Sequence, residues 1–237
     1  MSDCKNIFIT GTDTGVGKSI FTAILALSFH NQGKKVAISK PIQTGDPDTE
    51  LLGELTGNKI PIFNTYTFSS PAAPSVAAQN ENKIIDVNKI ISDIKKLEGE
   101  FDHVIVEGIG GIAVPIVGTG RDQSLQRDQP LQIADLIKIL GYPVIIVSRP
   151  TLGTINHTVL TIEYAKQKGL NILGFVISGY DEKTSDPAIK TAPEIITNIT
   201  GEKCLLKLPL FKAINYETLN GAARLLSSKT PSSFANV

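Results

Sequence analysis

Short apolar runs rich in Val and Ile alternate with stretches of helical periodicity along the whole chain. Residues 6–10, 36–39, 102–106, 143–148, 170–178 and 203–207 are nearly continuous in apolar character, which predicts strands buried on both faces. Between and after them, residues 20–30, 48–56, 74–79, 86–97, 131–140, 154–168, 186–199 and 216–226 carry the helical patterns. In 86–97 the side chains of Ile90, Ile91, Ile94 and Leu97 share one face, with Asp86 placed as the N-cap. Asp48 is a natural cap for the helix it opens, and Pro193 predicts a break inside 186–199. Residues 59–74, with three prolines, read as irregular. Residues 108–130 read as one long loop rich in Gly and charge, of a length that points to function or disorder.

Strands of this kind alternating with helices predict an α/β fold: a mostly parallel sheet with helices on both faces. The 237 residues show no internal repeat and no linker. A single domain over residues 1–226 is expected, followed by a Ser-rich tail, 227–237, that frays.

Composition narrows the function by exclusion. Basic and acidic residues balance at 23 each, which argues against a nucleic-acid footprint or a polybasic membrane surface. Cys4 and Cys204 lack metal-ligand spacing and read as reduced thiols. The chain opens without a secretory leader pattern, and no apolar run approaches the roughly 20 residues of a membrane helix. A cytoplasmic protein with neither nucleic acid nor membrane as partner is expected.

The chemistry concentrates where the first strand meets the first helix, in Gly11-Thr12-Asp13-Thr14-Gly15-Val16-Gly17-Lys18-Ser19. Strand, Gly-rich turn and helix are the context of a P-loop, in which backbone N–H groups face phosphates. Lys18 would reach the β/γ-oxygens, and Ser19 would offer a hydroxyl to Mg²⁺. The alternative is a Gly-rich turn with no ligand, and the correct flanks on both sides count against it. Glu107 ends the apolar run Val104-Ile105-Val106, where a nucleotide's Mg²⁺ needs an anionic partner. Lys40 ends the second strand at the same sheet edge, followed by Asp46, Asp48 and Glu50 as further candidates for the metal shell. His157 has no partners for a triad and reads as structural.

These segments, with Lys40-Pro41-Ile42-Gln43-Thr44-Gly45, Val106-Glu107-Gly108-Ile109-Gly110-Gly111, Leu152-Gly153-Thr154-Ile155-Asn156-His157-Thr158 and Tyr66 to Pro74, resemble the dethiobiotin synthetases over about residues 6–180. The resemblance implies an ATP-dependent, P-loop NTPase-like enzyme of biotin synthesis. In that reaction 7,8-diaminopelargonic acid takes up CO₂ as a carbamate, ATP phosphorylates it, and the second amine closes the ureido ring. It implies Lys18 and Lys40 as catalytic groups and Ser19, Asp48 and Glu107 as Mg²⁺ ligands. The nucleotide would lie against Thr14, Gly15, Val16, Gly17, Lys18 and Ser19. Gly108, Ile109 and Gly110 would flank it after Glu107, and Ser178, Gly179, Leu208, Pro209 and Leu210 would line the base. Thr14, Thr44 and Gly110 would touch substrate, with Asn156 reaching it across a homodimer interface.

Four departures from the family pattern matter. Ser19 replaces the usual Thr and keeps the hydroxyl, while a shortened loop after Lys40 leaves Asp46 and Glu50 as alternatives to Asp48. Ser178 stands where many members carry Asn near adenine, which predicts weak selection of the base. The insert 118–130 matches no family pattern. The competing readings are an amidoligase of the cobyrinic acid diamide synthase type and a partitioning or positioning switch ATPase. The first lacks a glutaminase-type nucleophile, and the second lacks the charge pattern for DNA or membrane.

Overall fold

The computed structural model describes residues 5–118 and 130–229. In chain order, β1 (Asn6–Gly11) leads through the Gly-rich turn into α1 (Lys18–Asn31), followed by β2 (Val36–Ser39), β3 (Ile42–Thr44) and α2 (Asp48–Leu55). Two short strands, β4 (Ile62–Phe63) and β5 (Tyr66–Phe68), precede α3 (Pro74–Asn80), α4 (Val87–Glu100) and β6 (His103–Gly111). The chain continues through β7 (Pro115–Val117), β8 (Leu131–Gln132), α5 (Ile133–Leu140), β9 (Val144–Ser148) and α6 (Thr154–Gln167). It ends in β10 (Ile172–Tyr180), α7 (Pro187–Thr200), β11 (Cys204–Pro209) and α8 (Tyr216–Lys229).

Seven strands form one sheet in the order β11-β10-β9-β1-β6-β2-β4, and every pairing in it is parallel. Both faces are covered, which explains the unbroken apolar runs. Phe8, Val104, Val106, Val144, Ile146, Phe175 and Ile177 pack toward α4, α5, α6 and α7. Their sequence neighbours Ile7, Ile9, Ile105, Ile145, Val147 and Val176 pack on the other side with α1, α2 and α8. The order reverses at β1, whose neighbours are β6 and β9. That crevice at the carboxyl edge is where open α/β sheets hold ligands. Among the described residues, no helix is long and apolar enough to cross a membrane.

Several expectations need correction. Residues 59–74 are not irregular: β4 forms the sheet's edge on β2, and β3 pairs with β5 in a separate two-stranded sheet. Residues 108–117, expected as loop, are largely strand, because β6 runs on through Gly111 and β7 pairs antiparallel with β8. Helix α7 passes through Pro193 without ending, since Ala192 and Ile196 on either side are both locked in the core. Asp86 does cap α4, accepting from the Asn88 N–H at 2.8 Å. Asp48 does not cap α2; the buried side chain of Gln43 accepts from the Thr49 N–H at 3.1 Å instead. Helix α8 includes residues expected in the tail, with Ser227 bonded to the Ser28 and Ala223 carbonyls. Residues 230–237 of that tail, 119–129 of the insert and Cys4 lie outside the described residues.

Candidate active site

The turn between β1 and α1 is shaped by its glycines. Gly15 and Gly17 have φ of 71° and 94°, a region L side chains avoid, and a methyl on Gly17 would sit 2.8 Å from Ser178 Cβ. Lys18 folds back over the loop and donates to the Asp13 carbonyl at 2.9 Å. Asp13 Oδ1 in turn accepts from the Thr14 N–H at 2.7 Å. The loop is tied to the neighbouring strand by the Thr12 N–H, which donates to the Val147 carbonyl at 2.9 Å.

Behind the loop lies a buried charge network. Lys40, at the end of β2, is 2% exposed and Glu107, within β6, is fully buried. The Lys40 ammonium stands 2.8 Å from Glu107 Oε1 and 2.7 Å from Asp48 Oδ2, and donates to the Gly108 carbonyl at 3.2 Å. Ser19 Oγ donates to the same Glu107 Oε1 at 2.9 Å. The Lys40 backbone is fixed by β4 and the turn after it: its N–H reaches the Phe63 carbonyl, and its carbonyl accepts from Asn64 Nδ2.

Burial alone would push each charge toward neutrality, but the network reverses this for two of three groups. Glu107 is pushed up by burial, and Lys40, followed by hydrogen bonds, brings it below the usual carboxylate value. Burial lowers Lys40, and Glu107 and Asp48 more than offset it, so its pKa is raised. Lys18 goes the other way: burial, then repulsion from Lys40, lowers it to about 8 despite the attraction of Glu107, Asp48 and Asp13. It therefore stays largely protonated at neutral pH while being poorly compensated within the protein. A phosphate anion would supply what it lacks.

A cleft of about 690 Å³ opens over this network. Of the residues singled out from the sequence, Thr14, Gly15, Gly17, Lys18, Ser19, Lys40, Thr44, Asp48, Glu107, Ile109 and Gly110 line it together. Gly110 has φ of 59°, and a methyl there would stand 3.6 Å from Thr14 Oγ1, so the two face one another. Val16 and Gly108 do not line the cleft, and both are buried. Ser178, Gly179, Leu208, Pro209 and Leu210 gather at the ends of β10 and β11 and do not line the cleft; Ser178 and Leu208 are buried, and Ser178 lies against Gly17 of the P-loop. Leu210 donates its N–H to the Tyr180 carbonyl, which joins the two strand ends. Asn156 is exposed on the first turn of α6, away from the cleft. Asp46 lines the cleft beside Asp48, whereas Glu50 does not. Ile20, Leu51, the segment Pro71 to Pro74 and Val114 complete the wall, and sequence patterning gave none of them a role in the site.

For Mg²⁺, the donor set of a serine hydroxyl and two carboxylates is the all-oxygen kind a hard cation takes. Glu107 Oε2 is buried with no hydrogen-bond partner, an acceptor in need of a positive ligand. The residues therefore fit the ion. Among the described residues, no cluster of three His, Cys, Asp or Glu side chains offers a rival metal centre.

A family model described as an AAA domain matches residues 5–218. The chain is 34% identical over 227 residues to the ATP-dependent dethiobiotin synthetase BioD of Thermodesulfovibrio yellowstonii, covering 91% of this chain and 93% of that protein. It is 41% identical over 175 residues to the protein of the same name from Methanococcus vannielii, covering 73% and 78%. Among solved structures, the septum site-determining protein MinD from Pyrococcus horikoshii, complexed with Mg-ADP, superposes with a TM-score of 0.57 at 18% identity, covering 96% of this chain and 99% of that one. That last likeness is one of fold.

Proposed function

This chain belongs to the ATP-dependent dethiobiotin synthetase family, and on that premise we propose that its cleft closes the ureido ring of dethiobiotin from 7,8-diaminopelargonic acid, CO₂ and ATP. The observation that carries the site assignment is the convergence of Lys18, Lys40, Ser19 and Glu107 on one cleft beside the P-loop.

Each step of the reaction handles an anion. One amine of the substrate adds to CO₂ and loses a proton, giving a carbamate. A carbamate oxygen attacks the γ-phosphorus of ATP, ADP leaves, and a carbamic–phosphoric anhydride remains. The second amine then attacks the carbonyl carbon, phosphate departs, and the ring is closed. Lys18 would hold the transferring phosphoryl group, and Lys40 the oxygens of carbamate and phosphate. Two fixed ammonium groups in a partly dry cleft are worth more there than in water. Thr14, Thr44 and the backbone at Gly110 would position the diamine. Ser19, Glu107 and Asp48 would hold Mg²⁺, which when bound neutralises charge on the β- and γ-phosphate oxygens.

We further propose a homodimer, in which Asn156 would serve the partner's cleft. Asn156 sits on the first turn of α6, four residues after Leu152, which precedes the helix, and four before Leu160, and these two leucines are 87% and 60% exposed. A partner subunit seated there would bring Asn156 to the neighbouring cleft. We assign the enzyme to the cytoplasm, with small molecules rather than nucleic acid or membrane as partners. The reaction is tested by supplying diaminopelargonate, ATP and ¹³C-bicarbonate and weighing the product. Dethiobiotin carrying one ¹³C is expected; ATP hydrolysis with no labelled product would contradict the assignment.

A further inference from the structure

The P-loop carries an acidic side chain in an awkward place. The Asp13 side chain shapes the loop, since its Oδ1 accepts from the Thr14 N–H. Yet its carboxylate adds negative charge beside a site for a polyanion. Arg149 answers that charge. It follows directly on β9, and its Nη2 lies 3.3 Å from Asp13 Oδ2. The strand that carries it is tied to the loop by the Thr12 to Val147 hydrogen bond and by the register of Gly11 on Val147.

The two side chains are 42% and 55% exposed, so the pair contributes little to stability. Its consequence lies in the field at the phosphates, which Asp13 alone would oppose. We propose that Arg149 is a positioning residue for nucleotide binding: it neutralises Asp13, so that the loop keeps its shaping carboxylate without repelling the phosphates. The inference rests on the P-loop being the phosphate site of ATP.

The test is ADP binding, measured by calorimetry with Mg²⁺ present and no turnover. Arg149→Gln should weaken binding about fivefold to tenfold at low salt, the size of one unscreened charge a few ångströms away in water. At about 1 M salt, where the screening length is roughly 3 Å, most of that loss should vanish. Asp13→Asn keeps the oxygen that accepts from Thr14, so the double variant Asp13→Asn/Arg149→Gln should return to within about twofold of wild type at low salt. A purely structural Arg149 would give neither rescue nor salt dependence. Arg149→Gln binding like wild type, a double variant as weak as Arg149→Gln, or a loss that salt leaves unchanged overturns the inference. Wild-type protein that binds no ADP contradicts the phosphate-site reading first, and this inference with it.

Discussion

The two flanks of β1 build the carboxyl edge of the sheet by different means. On the β6–β2 flank, Lys40, Glu107 and Asp48 are locked in bonds of 2.7–2.8 Å, with Ser19 joined at 2.9 Å. On the β10–β11 flank, the edge is made of Ser178, Gly179, Leu208, Pro209 and Leu210, whose side chains are short or apolar and carry no charge. Under the proposed reaction, with phosphates on the first flank and the base on the second, the difference would follow the chemistry asked of each side. Transferring a phosphoryl group needs charges fixed before the reaction, and burial with partners is how a protein fixes them. Holding a nucleobase needs a surface and a few polar groups, which cost little to build.

The largest expected effect comes from breaking the charged flank. Lys18→Ala and Lys40→Ala should each lower kcat by about a hundredfold or more at saturating ATP, read in a steady-state assay. They should part company in stability. Lys40→Ala strands a buried Glu107, and losing one member of such a pair costs roughly 3–5 kcal/mol. Lys18 makes one bond to a backbone carbonyl, so its removal should cost far less on denaturant unfolding. Adding Glu107→Gln to Lys40→Ala should regain most of the lost stability and none of the activity.

The metal shell gives the next effect. Asp48→Asn should raise the Mg²⁺ concentration for half activity by about tenfold, the loss of one charged ligand worth roughly 1.4 kcal/mol. Asp46→Asn should leave it nearly unchanged, although both residues line the cleft. The reverse result would move the second carboxylate ligand from Asp48 to Asp46.

The base flank should respond more mildly. A bidentate amide pair to adenine is worth roughly 1–3 kcal/mol, and the single hydroxyl of Ser178 cannot form one. Ser178 also packs against Gly17 of the P-loop, which leaves it little freedom to turn toward a base. CTP, GTP and UTP should therefore support kcat/KM within about tenfold of ATP. A preference for ATP above about a hundredfold would mean that backbone groups at Gly179 or Leu210 read the base.

The smallest effect concerns Cys204 on β11, where burial pushes the thiol up to about 11. The thiolate is therefore expected to be scarce at pH 8. In a Cys4→Ser background, alkylation should quicken about tenfold per pH unit between about pH 8 and 10. Rapid labelling already at pH 8 would contradict that environment, and slow labelling should leave turnover unchanged.

Legibility in the sequence divides along similar lines. The strands β1, β2, β6, β9, β10 and β11 announce themselves because both their faces are buried and their apolar runs are unbroken. The strands β3, β4, β5, β7 and β8 hold two or three residues each, too few for any period, and are fixed by partners elsewhere in the chain. The same holds for the cap of α2: Asp48 has the right chemistry, but Gln43 reaches the helix end from β3 and leaves Asp48 to face Lys40. Within the site, the contiguous P-loop marks Lys18 and Ser19, because phosphate chemistry forces those residue types into a short spacing. Glu107 stands out as the carboxylate ending an apolar strand, and Lys40 takes its role from the family resemblance. The wall from Leu51, Pro71 to Pro74 and Val114, and the Asp13–Arg149 pair, depend on distant segments meeting, which no local pattern encodes.

The central claim is that the charged flank is organised for a carbamate and not merely for ATP. Release of ADP should be measured with ATP and Mg²⁺ alone, then with diaminopelargonate, with bicarbonate, and with both. Rapid release that requires both is the predicted result. Release at the same rate without either would contradict the account and mark the chain as an ATPase indifferent to this substrate.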